Sequence, residues 1–209
     1  MTKKERALEA VRVLRERYPD AICSLQYDKP YELMIATRLS AQCTDARVNL
    51  VTPQLFERFP TLESFAEADL AELEEIVKPC GFYKTKAQSI KAAAQRLIKV
   101  YGGVLPDTME ELLTLPGIGR KTANLLLGDV YGKPAVVADT HFIRITGRLG
   151  LTKHKEPEKV EADLRKLLPP EESSDFCHRV VLFGREICSA RKPKCADCPL
   201  GGCCPSAEK

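Results

Sequence analysis

Apolar positions recur along this chain at helical spacing. From residue 87 on, Ala87, Ile90, Ala94, Leu97, Ile98 and Tyr101 fall at offsets of 3, 7, 10, 11 and 14, one stripe along a helix. Comparable spacing predicts helices at 4–17, 31–38, 44–58, 69–78, 120–131, 140–149, 157–168 and 174–187. Asp107 followed by Glu110 reads as a capping box opening a helix over DTMEELLTL, 107–115. Pro60, Pro79, Gly81, the glycines at 102–103, and the clusters at 116–119 and 132–134 separate these segments. Only AVVA, 135–138, resembles a strand, and it is too short to imply a sheet; an extended linker is the better reading. The pattern predicts an all-α protein, with YGKP at 131–134 as the domain boundary.

Composition narrows the class. The 209 residues suffice for one large domain or two small ones, with ample apolar material for a core. The opening MTKKERALEAVRVLRERY is charged and helically spaced, unlike a secretory signal, and no later stretch approaches the roughly 20 apolar residues of a membrane span. A soluble, cytoplasmic protein with no membrane partner is expected. The net charge is only +3, but acidic residues gather between Glu57 and Glu75 and basic ones between Lys78 and Lys99. The acidic run reads as solvated helix faces; the basic run fits either a solvated face or a nucleic-acid-binding one. Nine cysteines, an odd number without a signal peptide, argue against a disulfide framework and for metal or cluster ligation.

The stretch LPGIGRKTA, 115–123, carries the most specific signal. A phosphate-binding P-loop would need a glycine immediately before the lysine, where the chain has Arg120. A dinucleotide fingerprint needs a preceding strand and a third glycine, and position 122 is a threonine. What remains is helix, tight turn, helix. Gly117 and Gly119 are free to take positive φ and to leave their amides uncovered, so that these N–H groups and the next helix's N-terminus point at one anion, which a nucleic-acid phosphate fits. Such a contact positions a duplex without reading its sequence. The alternative is a plain helical corner with Ile118 as a core plug.

With these residues the chain resembles the helix-hairpin-helix DNA glycosylases of the endonuclease III family, over nearly its whole length, from the first helix to Cys204. The resemblance implies that Lys121 is the nucleophile of a base-excision enzyme acting on oxidised pyrimidines. Lys121 would attack the C1′ of an extruded nucleotide, expelling the base and leaving a Schiff base whose β-elimination nicks the strand 3′ to the lesion. A lysine with an ordinary pKa near 10.4 is almost wholly protonated at pH 7, and a helix N-terminus contributes only ~0.3–1 kcal/mol towards deprotonation. A base or desolvation must supply the rest. Asp139, in VVADTH, matches the family's aspartate and would accept the proton and stabilise charge on the sugar; read from the residues alone, it is the N-cap of a helix. His141 reads as an ordinary helix histidine.

Chemistry at C1′ also requires the nucleotide to leave the stack. LSAQCTD matches the family stretch whose glutamine, here Gln42, enters the vacated space, and CGFYKTKA matches the segment supplying an apolar wedge, here Phe82. The family often has leucine there, and a half-buried loop aromatic is the other reading of Phe82. Related adenine glycosylases carry a catalytic glutamate where this chain has Ala36, and a further C-terminal domain that it lacks, which disfavours adenine excision. Gly117, Ile118, Gly119, Arg120 and Lys192 complete the expected DNA contacts.

Cys188, Cys195, Cys198 and Cys204 form C-x6-C-x2-C-x5-C in a Gly- and Pro-rich tail. Four thiolates suit tetrahedral zinc or an iron-sulfur cube, and the spacing alone does not decide. The resemblance implies a single 4Fe-4S cluster, structural in role, with Arg185, Arg191, Lys192 and Lys194 on its loop. Cys203 beside Cys204 leaves the fourth ligand ambiguous, the spacing favouring Cys204, while Cys23, Cys43, Cys80 and Cys177 read as small hydrophobes. The resemblance also implies two domains: a central helical one at 22–132 with the hairpin near 107–131, and a discontinuous cluster domain of 1–21 with 133–209 whose loop spans 188–204. Lys121 would then face Asp139 across the interdomain cleft. The expected protein is a monomeric, nucleoid-associated repair enzyme that binds double-stranded DNA with oxidised pyrimidines or abasic sites. Its rivals are a non-catalytic helix-hairpin-helix module with structural zinc, and a glycosylase of the same fold without lyase activity.

Overall fold

The computed structural model describes residues 1–207, so the last two residues of the expected cluster domain lie outside the described residues. Among the described residues the regular structure is all helical: α1 (Lys3–Arg17), α2 (Pro30–Ser40), α3 (Asp45–Arg58), α4 (Leu62–Glu67), α5 (Leu70–Val77), α6 (Tyr83–Tyr101), α7 (Met109–Leu112), α8 (Arg120–Asp129), α9 (Thr140–Arg148), α10 (Pro157–Leu167) and α11 (Ser173–Glu186). None is long and apolar enough to cross a membrane. The AVVA segment is a buried extended linker.

The chain divides into two compact units. Ser24–Tyr131 forms one, α2 to α8. Its core gathers around Phe65, which is fully buried against Phe59 at a ring distance of 5.3 Å and edge-on to Phe56 and Tyr31. Met1–Cys23 and the chain from Gly132 on form the other, with α1, α9, α10 and α11. There Phe142 of α9 meets Phe176 of α11 edge-on at 6.1 Å. Arg179, 5 % exposed, is neutralised by Glu172 at 2.6 Å and Asp175 at 3.2 Å, which is how a cation is tolerated against that core.

At three places the structure corrects or adds to what the chain's pattern predicts. The helix α4 has no periodic signal, because its six residues are too few to show a stripe; its identity lies in a Thr61–Ser64 capping box. The cap of α7 is Thr108, whose Oγ1 accepts from the Glu111 amide, so the Asp107–Glu110 box is displaced by one residue. That register puts Leu112 wholly inside the core and leaves α7 as four residues, shorter than the DTMEELLTL segment. The basic run does not present a single face. Lys78 pairs with Glu75, Lys91 binds the Ala68 carbonyl, and Lys86 is 1 % exposed.

Candidate functional site: a hairpin, two strained loops and a thiol-lined cavity

The hairpin joins α7 to α8 within the central unit. Leu112, Leu115 and Ile118 are buried, so Ile118 plugs the core while its neighbours face out. Gly117 has φ +80°, and a Cβ there would lie 2.9 Å from Arg38 Nε and 3.0 Å from Ser89 Cβ, both under the hairpin. Only glycine fits on both counts. Gly119 corrects the expectation of a second positive φ: it is extended (φ −101°, ψ 174°), and a Cβ would meet nothing within 4 Å. Among the described residues no side chain caps the first turn of α8, leaving its amides open to a ligand. Arg120 and Lys121 are exposed there, and Lys121 has no hydrogen-bond or ion-pair partner among the described residues.

Gln42 lies between α2 and α3, and Phe82 immediately ahead of α6. Among the described residues these two are the only non-glycines with positive φ, at 54° and 49°. An αL side chain of this kind costs on the order of 1–3 kcal/mol and persists only where the surroundings enforce it. Phe82 is 67 % exposed, which excludes the half-buried loop aromatic.

In the second unit Asp139 is the N-cap of α9, its Oδ1 accepting from the Phe142 amide at 2.7 Å. The residue is half-buried, and the cap occupies one oxygen of the two. Cys188, Cys195, Cys198 and Cys204 all border one cavity of about 220 Å³ at the chain's C-terminal loop. Burial and the other three thiols push the Cys198 thiol above its usual pKa. Cys203 turns away, its S–H directed at the Leu200 carbonyl at 3.4 Å. Among the described residues no three His, Cys, Asp or Glu side chains close on a single-ion site. Lys192 is exposed on the same loop, its carbonyl held by Ser189 Oγ at 2.6 Å.

Residues 35–170 match the HhH-GPD superfamily of base excision DNA repair proteins. An endonuclease III of Synechocystis sp. is 47 % identical over 99 % of this chain and 95 % of its own length. The chain belongs to the endonuclease III family. Two solved endonuclease III structures are each 40 % identical and superpose with a TM-score of 0.93. One is a non-covalent DNA complex, covering 99 % of this chain and 97 % of that one; the other is a trapped covalent DNA intermediate, covering 99 % and 98 %.

In the two units of this endonuclease III-family chain, three side chains near the candidate residues carried no signal in the sequence. Arg148, at the end of α9, donates from Nη1 to Cys188 Sγ (3.3 Å) and to the Ser189 carbonyl (2.7 Å), and from Nη2 to the Ala190 carbonyl (2.8 Å). Arg38 braces the hairpin through Ser89 at 2.6 Å. Lys86 is the third. Each looks like an ordinary surface cation in sequence, because the carbonyls and hydroxyl that it meets lie 40 or more residues away or on a helix turn that only the fold brings near. The strained pair gives a testable trade. Gln42→Gly and Phe82→Gly should each stabilise the protein by about 1 kcal/mol, raising the melting midpoint by about 2–4 °C. If these side chains fill the gap left by an extruded nucleotide, as the resemblance implies, cleavage of lesion-bearing duplex should fall about 10-fold, since unstacking a base costs a few kcal/mol. Thermal melts and single-turnover cleavage read the two opposite movements.

Proposed function

We propose that this protein is a bifunctional DNA glycosylase and abasic-site lyase that excises oxidised pyrimidines from duplex DNA. The observation that carries the reading is an unpaired, exposed Lys121 in the first turn of α8, behind a hairpin whose amides no side chain caps. Gly119 supports it. Its backbone is ordinary and a Cβ would have room, so the fold itself does not demand glycine, whereas a phosphate approaching the amides does.

The Lys121 amine attacks C1′ of the extruded nucleotide, and the C1′–N bond breaks with its electron pair leaving on the base, which is then protonated. Ring opening gives the iminium; loss of a C2′ proton expels the 3′ phosphate by β-elimination, and water releases the sugar remnant from the lysine. Asp139 accepts the ammonium proton and stabilises positive charge on the sugar with the carboxylate oxygen that the cap leaves over. Gln42 and Phe82 fill the space left in the duplex, and Arg120, Lys192 and the hairpin amides hold phosphates. The enzyme works as a monomer on nucleoid DNA in the cytoplasm. Borohydride reduction of the wild-type protein on abasic duplex should give a covalent adduct. A protein that releases bases yet never traps is a glycosylase without lyase activity, and one that does neither is a binding module.

The thiol-lined cavity fits a 4Fe-4S cluster. Four thiols border one space and are all the cavity's sulfur donors, and thiolates are the donors that hold such a cluster. Cys188, Cys195, Cys198 and Cys204 would hold it, and it would supply cross-links that fix the loop carrying Lys192. The purified protein should be brown, with a broad visible band. Cys198→Ala should lose both band and iron, and weaken duplex binding about 10-fold or more as one or more ordered phosphate contacts disappear. A stable, colourless, zinc-replete protein would refute the cluster.

A further inference from the structure

Lys86 sits in the first turn of α6, 1 % exposed, within a unit whose chemistry so far uses only surface groups. Its Nζ donates to the Leu39 carbonyl and to the Cys80 carbonyl, both at 2.8 Å. Leu39 lies in the last turn of α2 just ahead of Gln42, and Cys80 lies just ahead of Phe82. The Lys86 amide also bonds the Phe82 carbonyl at 3.0 Å, so one residue holds both loops on which the strained side chains stand. Its own carbonyl accepts from Ser89 Oγ (3.0 Å), which Arg38 Nε in turn contacts beneath Gly117. The loops and the hairpin are thereby tied into one network.

A buried ammonium is costly, and burial does lower the Lys86 pKa. Two carbonyls separated by much of the central unit's sequence would be orphaned without it. A methionine of similar length would fill the volume but bond neither. The retained amine therefore serves geometry, a fixed distance between the two loops that carry the positive-φ residues Gln42 and Phe82.

We infer that Lys86 is a positioning residue for strand opening, clamping the Gln42 and Phe82 loops so that both side chains enter the duplex in register. The inference rests on the proposed glycosylase-lyase reading. It distinguishes two substrates: abasic duplex, where a gap must be filled, and the same abasic oligonucleotide single-stranded, where there is none.

Single-turnover cleavage of both substrates by the full chain tests it. Lys86→Met should lose about 10- to 100-fold on the duplex, the scale of a 1 Å misplacement, and less than about 3-fold on the single strand. Adding Lys86→Met to the Gln42→Ala/Phe82→Ala double variant should cost little more, because the clamp then has nothing to position. Equal losses on both substrates, no loss on either, or full additivity would overturn the clamp. If the methionine variant does not fold by circular dichroism, Lys86→Arg and Lys86→Gln take its place: a selective loss on the duplex supports the clamp, and an unchanged ratio of duplex to single-strand rates overturns it. A wild-type protein that cleaves neither substrate overturns the glycosylase-lyase reading and the clamp together, whereas an active wild type whose variants keep its ratio overturns the clamp alone.

Discussion

Lys121→Ala is expected to abolish borohydride trapping and to lower abasic-strand cleavage by on the order of 10⁴-fold or more, the loss typical of a removed nucleophile. The fold should not notice. Lys121 is exposed, it has no hydrogen-bond or ion-pair partner among the described residues, and alanine is the better helix former, so stability should move by less than about 0.5 kcal/mol. Lys121→Arg gives the complementary control. It keeps the positive charge at the duplex surface while its guanidinium stays protonated and non-nucleophilic, so DNA binding should persist without any adduct. An undiminished adduct in the alanine variant would assign the Schiff base to another amine.

Asp139→Asn carries the second large effect, and the structure makes it unusually clean. Asparagine caps helices as well as aspartate does, and its side-chain oxygen can still accept from the Phe142 amide, so the melting midpoint should stay within about 1–2 °C. Cleavage of abasic and lesion-bearing duplex should nevertheless fall about 10²- to 10⁴-fold, because the amide neither accepts the lysine proton nor stabilises the sugar cation. Asp139→Ala should show the same catalytic loss plus about 1 kcal/mol of lost capping, visible as a lower midpoint. Wild-type rates in the asparagine variant would reduce Asp139 to its helix-capping role alone.

The distinction between Asn and Ala separates the local role of a residue from the chemical role proposed for it. Phe82 immediately precedes α6 and stands exposed in αL geometry; Gly117 turns the hairpin and leaves room for Arg38. In each case the local role is a matter of neighbouring residues in the chain, and the chemical role depends on what the surrounding fold supplies.

By itself the sequence determined the helical stripes, the hairpin LPGIGRKTA and the C-x6-C-x2-C-x5-C tail, because each is a short-range pattern whose meaning lies in spacing along the chain. The tertiary structure alone decided that Thr108 and not Asp107 caps α7, that Gly119 is extended, that Cys203 turns from the cavity, and that Lys86 leaves the basic run for the interior. The physical reason is that packing selects among locally equivalent options. Asp107 and Thr108 both offer a capping oxygen, and the register that buries Leu112 uses Thr108, while Lys86 is held by the Leu39 carbonyl, 47 residues away, an acceptor that a charge pattern read along the chain does not reveal.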